Sequence, residues 1–284
     1  MGLTTVNFQA VETIANAVLY EGYLLYPYRR SAMKNRQRFN FGVLYPPAFC
    51  REPDTFEIWT ECLIEGASPA IEMKTRFLQL IDRGDWQEGR EREVSIAAEP
   101  DSPRRESFSF DGAIEGEIEI RWEPLGGSLR KIVARVRNCA DGEFLNREKA
   151  LARSMVSAHH ILRVEGGRFV SLLEPEEQFR EAAEGCRNVG AWPVLAGEPG
   201  EREMMLVSPI ILYDYPRIAP ESPGDLFDAT EIDEILALRI LTMTEEEKQE
   251  VRTGDERARR ILERTETLPP EHFAKLHGAL RGLK

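Results

Sequence analysis

At 284 residues the chain exceeds the ~100–200 residues usual for one domain, which admits one large domain with an appendage or two smaller ones. A formal charge of −12 works against electrostatically driven binding to nucleic acid or anionic lipid, because both need a net attraction to phosphates. No run approaches the ~18–20 apolar residues of a membrane span, and no basic-then-apolar leader opens the chain, so a cytoplasmic protein with no membrane contact is expected.

In chain order, Val11, Ile14, Ala15, Val18 and Leu19 recur at helical spacing and Gly22 follows as a stop, predicting a helix over about 9–20 whose apolar stripe must dock. Tyr26-Pro27-Tyr28-Arg29-Arg30 then leads into Lys34, Arg36 and Arg38, with no acid before Phe39 and Phe41. This is the one basic island in an acidic chain. Aromatics among arginines suit nucleotide or RNA contact, through stacking and phosphate pairing. The plainer reading is a positive loop that neutralises acids elsewhere in the chain.

Phe56, Ile58, Thr60, Cys62 and Ile64 alternate with polar neighbours, as do Ile71, Met73, Thr75 and Phe77, and both runs read as strands. Residues 83–106 read as a charged loop apart from a short strand at Val94-Ser95-Ile96. A hairpin is predicted from the alternation of Ile114, Gly116, Ile118 and Ile120 with glutamates, and of Ile132, Ala134 and Val136 with basic residues. Pro124-Leu125-Gly126-Gly127-Ser128 supplies its turn. A turn centred near Gly126 sets Glu117 against Arg135, Glu115 against Arg137, Ile118 against Ala134 and Ile120 against Ile132.

A second hairpin is expected from the face Val156, Ala158, His160, Leu162 and Val164, a Gly166-Gly167 turn, and a return from Phe169 to Leu173. Pro175 opens a short helix with Phe179, Ala182 and Ala183 inward and Gly185 as its stop. The run from Met204 to Tyr213 reads as a strand covered on both sides. After Ala219-Pro220-Glu221-Ser222-Pro223-Gly224 the pattern becomes helical. Short helices are expected from Thr230, from Thr244, from Asp255 and from Pro269-Pro270, too short to stand alone in water.

The fold class expected is therefore α+β: a β-rich antiparallel core, sandwich-like or meander, with an N-terminal helix and a C-terminal array of short helices. The domains expected are a core over 1–224 and a helical region over 225–284 packed on that core or on a partner.

Few residues suggest chemistry. Cys50, Cys62, Cys139 and Cys186 lie far apart with no C-x-x-C pair, a poor match to zinc or iron–sulfur ligation, and reduced thiols are the plain reading. His159 and His160 point to opposite faces of a strand and so cannot share a metal without a bulge. His160 falls with the apolar positions, as a core histidine bonded to backbone, and His159 falls on the wetter face. His160 with Cys139 and Cys186 is the weak candidate set for a metal. Tyr213-Asp214-Tyr215-Pro216 gathers an acid among aromatics, making Asp214 and Tyr215 candidate binding residues beside Tyr28, Arg29, Arg30, Lys34 and Arg36 of the basic island. No phosphate-binding glycine loop and no G-x-S-x-G motif is present, and the sequence implies no cofactor and no named catalytic residue.

The segments Val18-Leu19-Tyr20-Glu21-Gly22-Tyr23-Leu24-Leu25-Tyr26-Pro27-Tyr28-Arg29, Ser208-Pro209-Ile210-Ile211-Leu212-Tyr213-Asp214-Tyr215-Pro216 and Thr230-Glu231-Ile232-Asp233-Glu234-Ile235-Leu236 resemble parts of an uncharacterised bacterial family. So does Thr244-Glu245-Glu246-Glu247-Lys248. Members of that family are often encoded among the structural and maturation genes of nickel–iron hydrogenases. The resemblance implies an accessory role in assembling or maturing such an enzyme, with hydrogenase or maturation subunits as protein partners, and it transfers no site residue. A non-enzymatic interaction protein is thus the expected function, with self-association compatible and nucleic acid disfavoured. The rival readings are an enzyme or metal-binding protein centred on His160 and the cysteines, and a nucleotide- or RNA-binding protein using residues 29–38.

Overall fold

The computed structural model describes residues 8–20, 42–83, 87–100, 102–217 and 243–252, together with 259, 262–263 and 266–267. The chain divides into two units, one of Met1–Leu19, Phe41–Asp82 and Gly89–Pro216, the other of Tyr20–Asn40, Arg83–Glu88 and Arg217–Lys284. The expected boundary between 224 and 225 lies outside the described residues.

The first unit is a sandwich of two antiparallel five-stranded sheets. One sheet holds β4 (Arg104–Phe110), β5 (Ile114–Gly126), β6 (Leu129–Asn138), β1 (Glu57–Glu65) and β8 (Arg168–Val170), in that spatial order. The other holds β3 (Gln87–Ala98), β2 (Ala70–Asp82), β7 (Val156–Glu165), β10 (Met204–Ser208) and β9 (Trp192–Leu195). The alternating apolar positions of both sheets meet in one interior. Ile58, Cys62 and Ile64 of β1, Ile118 and Ile120 of β5, Met73 and Phe77 of β2, and Ala158 and Leu162 of β7 all belong to it. A period-two pattern with one apolar face forces this arrangement, since each sheet needs a partner face to leave water.

Helix α1 (Phe8–Tyr20) covers the outer face of the second sheet. Its stripe of Val11, Ala15 and Val18 packs on Ile161, Val194, Met204 and Leu206. Polar contacts fix its position, with Arg76 donating to the Asn16 side chain at 2.8 Å and Lys74 lying 3.7 Å from Glu12. The short helix α2 (Arg147–Leu151) follows β6, and the first sheet carries helix α3 (Arg180–Glu184) on part of its outer face, through Phe179 and Ala183 against Leu63 and Val170. Gly185 ends that helix, as expected.

Three expectations are corrected. Residues 83–106 are not mainly loop: they contribute β3 and β4, the end strands at one side of the two sheets. Their charges mask a strand pattern, because an end strand buries one face only and β3 shows it only late, in Val94, Ile96 and Ala98.

The second correction concerns the hairpin of β5 and β6, which forms but in a register displaced by two residues. Glu117 stands opposite Arg137, Glu119 opposite Arg135, Ile118 opposite Val136 and Ile120 opposite Ala134. The loop falls at Gly127-Ser128, and an irregularity between Pro124 and Gly126 moves it further along the chain than a turn centred at Gly126. A shift of two preserves the faces, so charge still meets charge. Glu117 is clamped at 2.5 Å by Arg137 and at 2.6 Å by Arg105 of β4. Burial pushes its carboxyl up, but the two guanidiniums outweigh this and hold it below the usual range.

The third correction is that β7 and β8 are consecutive across Gly166-Gly167 yet do not pair. Strand β7 pairs with β2 and β10, while β8 pairs with β1 in the opposite sheet. The glycine turn is a crossing between sheets. It meets a second crossing, from β1 to β2, backbone against backbone. A Cβ at Gly66 would lie 2.6 Å from the Gly166 oxygen and 2.8 Å from the Gly167 Cα. The Gly66 N–H donates to the Ser128 oxygen at 2.9 Å, so that corner cannot move aside.

In the second unit, α4 (Glu245–Arg252) starts after Thr244 as expected, with the Lys248 N–H bonded to the Thr244 oxygen at 2.9 Å. Glu266 lies 3.1 Å from Lys248 and 3.0 Å from Arg252. The helices expected from Thr230 and from Pro269-Pro270 lie outside the described residues.

The contact of the two crossings predicts that Gly66→Ala lowers unfolding stability by about 1–3 kcal/mol, as forced overpacking does. Gly185→Ala, whose Cβ would meet its nearest atoms at 3.4 and 3.5 Å, stays within about 1 kcal/mol of wild type. Urea midpoints of the two variants check this, and equal midpoints count against it.

Candidate functional site

Strand β10 ends at Ser208, earlier than the apolar run to Tyr213 suggests, because Pro209 has no N–H to continue the ladder. The Ile210 N–H instead bonds the Ser208 hydroxyl at 3.0 Å, and the chain leaves the sheet as an arm over residues 209–217. Alternate residues of that arm have opposite fates. Ile210 and Leu212 pack into the cluster beneath α1. Ile211 and Tyr213 face outward, 79% and 87% exposed.

The candidate binding residues Asp214 and Tyr215 are anchors of this arm. Asp214 accepts the Ser171 hydroxyl at 2.5 Å through one carboxylate oxygen and the Leu195 N–H at 2.8 Å through the other. The Tyr215 N–H bonds the Leu195 oxygen at 2.7 Å, and its phenol donates to the Glu201 oxygen at 3.0 Å. Its ring packs on the sandwich interior while its backbone sits at φ 57°, a strained position for a non-glycine residue. These bonds tie the arm along the outer side of β9, and the two exposed side chains are carried on a fixed backbone. Sequence reading picked Asp214 and Tyr215 but missed Ile211. The one local signal for it was Pro209, which marks where the strand must stop.

His160 lies on the inner face of β7, opposite Thr75 of β2 and Val207 of β10, and is 1% exposed. Neither of its ring nitrogens has a hydrogen-bond partner of good geometry, the backbone of His159 offering only a weak one. His159 is not on a wet face: it is fully buried on the side covered by α1, opposite Arg76. Its Nδ1 bonds the Ser157 oxygen at 2.8 Å, which makes Nδ1 the protonated nitrogen and leaves Nε2 without a partner. A bulge precedes the pair, where the pairing slips between Arg76 and Leu78 and Ser157 adopts φ 51°. Past the bulge the strand alternates again, and the two rings point apart.

Cys139 is exposed just beyond β6, and Cys186 follows α3, its thiol pushed up to about 11 by burial. Burial raises the Cys62 thiol further, inside the sandwich. Among the described residues no three His, Cys, Asp or Glu side chains come together to hold a metal ion. Tyr28, Arg29, Arg30, Lys34, Arg36 and Arg38 lie outside the described residues. No described helix is long and apolar enough to cross a membrane.

The outer face of the first sheet is an ion-pair ladder that sequence reading only partly anticipated. Trp59 of β1 lies between the guanidiniums of Arg121 at 5.5 Å and Arg135 at 5.7 Å, and its indole N–H donates to Glu61 at 3.0 Å. Burial pushes the Glu61 carboxyl up, but the Arg187 N–H, the Trp59 indole and Lys131 together hold it below its ordinary value. Each cation of this ladder has a carboxylate partner: Arg135 with Glu57, Lys131 with Glu61 and Glu123, and Arg121 with Glu119. With its charges paired internally, the ladder keeps the outer face of the sheet polar, each exposed pair adding at most about 1 kcal/mol.

A scan of the sequence against protein-family models gives no match, and a comparison with curated proteins gives none either.

Burial holds His159 down at about 4 and His160 at about 3, against an ordinary value of 6.5. The unfolded chain therefore takes up protons below pH 6.5 that the folded chain refuses. Stability is expected to fall as pH drops below 6.5, by roughly 1 kcal/mol per pH unit for each histidine. Glu61, Glu117 and Glu176, whose folded values are lowered from 4.5, add their own loss as pH falls through the unfolded value of 4.5, beginning about one unit above it. Urea unfolding between about pH 6.5 and 5.5 therefore reports mainly the histidines, and His160→Leu should roughly halve the slope there. An unchanged slope in that variant contradicts the burial of a neutral His160.

Proposed function

We propose that this protein is a non-enzymatic interaction protein that docks a protein partner through the arm at 209–217. We further propose that the partner belongs to the structural or maturation subunits of a nickel–iron hydrogenase, with the short helices of 225–284 as a second element of contact.

One observation carries the docking reading: Ile211 and Tyr213 are held almost wholly in water by a backbone that is itself anchored at Asp214 and Tyr215. Scattered exposed apolar residues are ordinary, but these two share one side of a single pinned segment. A tyrosine on a fixed backbone loses little conformational freedom on binding, which is why such residues recur at the centres of interfaces. The choice of partner is supported by the family resemblance of the segments quoted above, one of which is this arm.

The test is affinity capture from hydrogenase-expressing cells of the native host, with wild type beside an Ile211→Ser/Tyr213→Ser variant. A hydrogenase or maturation subunit is expected with wild type, and at least about tenfold less of it with the variant, since loss of two apolar anchors removes well over 1.4 kcal/mol. The variant's unfolding midpoint should stay within about 0.5 kcal/mol of wild type, as for exposed positions generally. Equal recovery by both proteins rejects the arm. Recovery of no such subunit by wild type rejects the partner.

A further inference from the structure

Among the described residues the two sheets have four end strands, guarded to different degrees against pairing with another strand. Strand β8 is only three residues long. Strand β9 has the arm bonded along it at Leu195. Strand β3 carries alternating charges, with Glu91 and Glu93 exposed and Arg90 and Arg92 between and beside them. Shortness, cover and charge are the usual means by which natural sheets guard their edges.

Strand β4 is neither short nor covered, and its charges, Arg104, Arg105 and Glu106, are confined to its first half, leaving Ser107 and Ser109 without that guard. Which of its backbone groups are free follows from the ladder beside it. The Cys139 N–H bonds the Glu115 oxygen at 2.8 Å, so Glu115, and with it Glu117 and Glu119, direct their backbone groups toward β6. Ile114, Gly116, Ile118 and Ile120 then bond toward β4, where their partners are Phe110, Phe108, Glu106 and Arg104. The backbone N–H and C=O groups of Arg105, Ser107 and Ser109 are left pointing away from the sheet. All three residues are exposed. Two of them are serines, too small and neutral to repel an incoming strand.

We propose that β4 is the contact through which two copies of this protein pair, antiparallel and about a two-fold axis at Ser107, joining their first sheets into one. Charge disfavours the axes at Arg105 and Glu106, and an axis at Phe108 or Ser109 would set the first residues of the strand opposite the β4–β5 turn instead of a strand. An axis at Arg105 would set two Arg105 side chains against each other, and one at Glu106 would oppose two glutamates. The axis at Ser107 sets Arg105 against Ser109, Glu106 against Phe108, and Arg104 against Phe110, so no like charges stand directly opposite. It is also the only one of the three that uses the whole strand. Arg104 and Glu106 have no ion-pair partner among the described residues, so the pairing breaks no ion pair of either. Three backbone-bonded pairs form across the axis, Ser107 with itself and Arg105 with Ser109 twice. An edge contact of this length lies at the small end of stable interfaces, so association depends on concentration.

This pairing does not involve the arm at 209–217, and its failure leaves the docking reading untouched. Sedimentation equilibrium of the full chain between about 1 and about 200 µM tests it, a range chosen for a weak interface. Wild type is expected to approach a dimer at the upper end. Ser107→Pro removes an outward N–H that β5 does not use, and Ser107→Lys places two ammonium groups together at the axis; each should weaken association by about tenfold or more. Circular dichroism confirms that the fold persists, and if the proline variant unfolds, the lysine variant decides. A wild type that stays monomeric throughout overturns the proposal, even if it binds a foreign extended peptide at this edge. A Ser107→Lys variant that dimerises as well as wild type overturns it too.

Discussion

The apolar seam between the two sheets is the constraint from which the other features follow. Every long strand has one face that must leave water, and neither sheet can satisfy that alone. Once the faces of β1, β5 and β6 meet those of β2, β7 and β10, the chain has to cross repeatedly between layers. Those crossings require glycine where they touch, at Gly66, Gly166 and Gly167. The seam also encloses His160 and Thr75 beside hydrocarbon, which makes the interior a place where a proton is costly. A neutral imidazole kept there serves packing, and its consequence is a fold that weakens in mild acid.

The outer faces divide the remaining work. On one sheet, α1 supplies the cover that Ile161, Met204 and Leu206 need, and the arm after β10 extends that cover with Ile210 and Leu212. The other sheet is finished with matched charges around Trp59 and Glu117, which hold register as well as solubility. Among the described residues, Leu125, Leu145, Leu173, Trp192, Ile211 and Tyr213 are the large apolar side chains left exposed. Ile211 and Tyr213 are the two most exposed in the arm, and the bonds of Asp214 and Tyr215 explain why they are held where they are.

Much of the fold was legible wherever one strand or helix carried its own periodicity. The stripe of α1, the alternation of β1 and β2, the β5–β6 hairpin and the helix closed by Gly185 could each be read from adjacent residues. What was hidden depended on partners distant in the chain. Glutamates and arginines in β3 and β4 gave no apolar face until Val94 and Phe108, because end strands pack on one side only. Gly166-Gly167 had the composition of a hairpin turn, and nothing local distinguishes a hairpin from a crossing between sheets. His159 looked solvent-facing because the helix that buries it lies over a hundred residues earlier. Asp214 and Tyr215 stood out in the sequence for their chemistry, yet their hydrogen bonds go to Ser171, Leu195 and Glu201, contacts that no spacing rule contains.

The proposed docking requires the arm to present its exposed side chains to another protein. The most direct measurement replaces Tyr213 by a photo-reactive phenylalanine analogue and irradiates hydrogenase-expressing cells of the native host. A discrete adduct that contains a hydrogenase or maturation subunit is expected, and it should be lost when the analogue is moved to the fully buried position of Leu206. Irradiation that yields no adduct from position 213, in cells where the protein is folded and abundant, would contradict it.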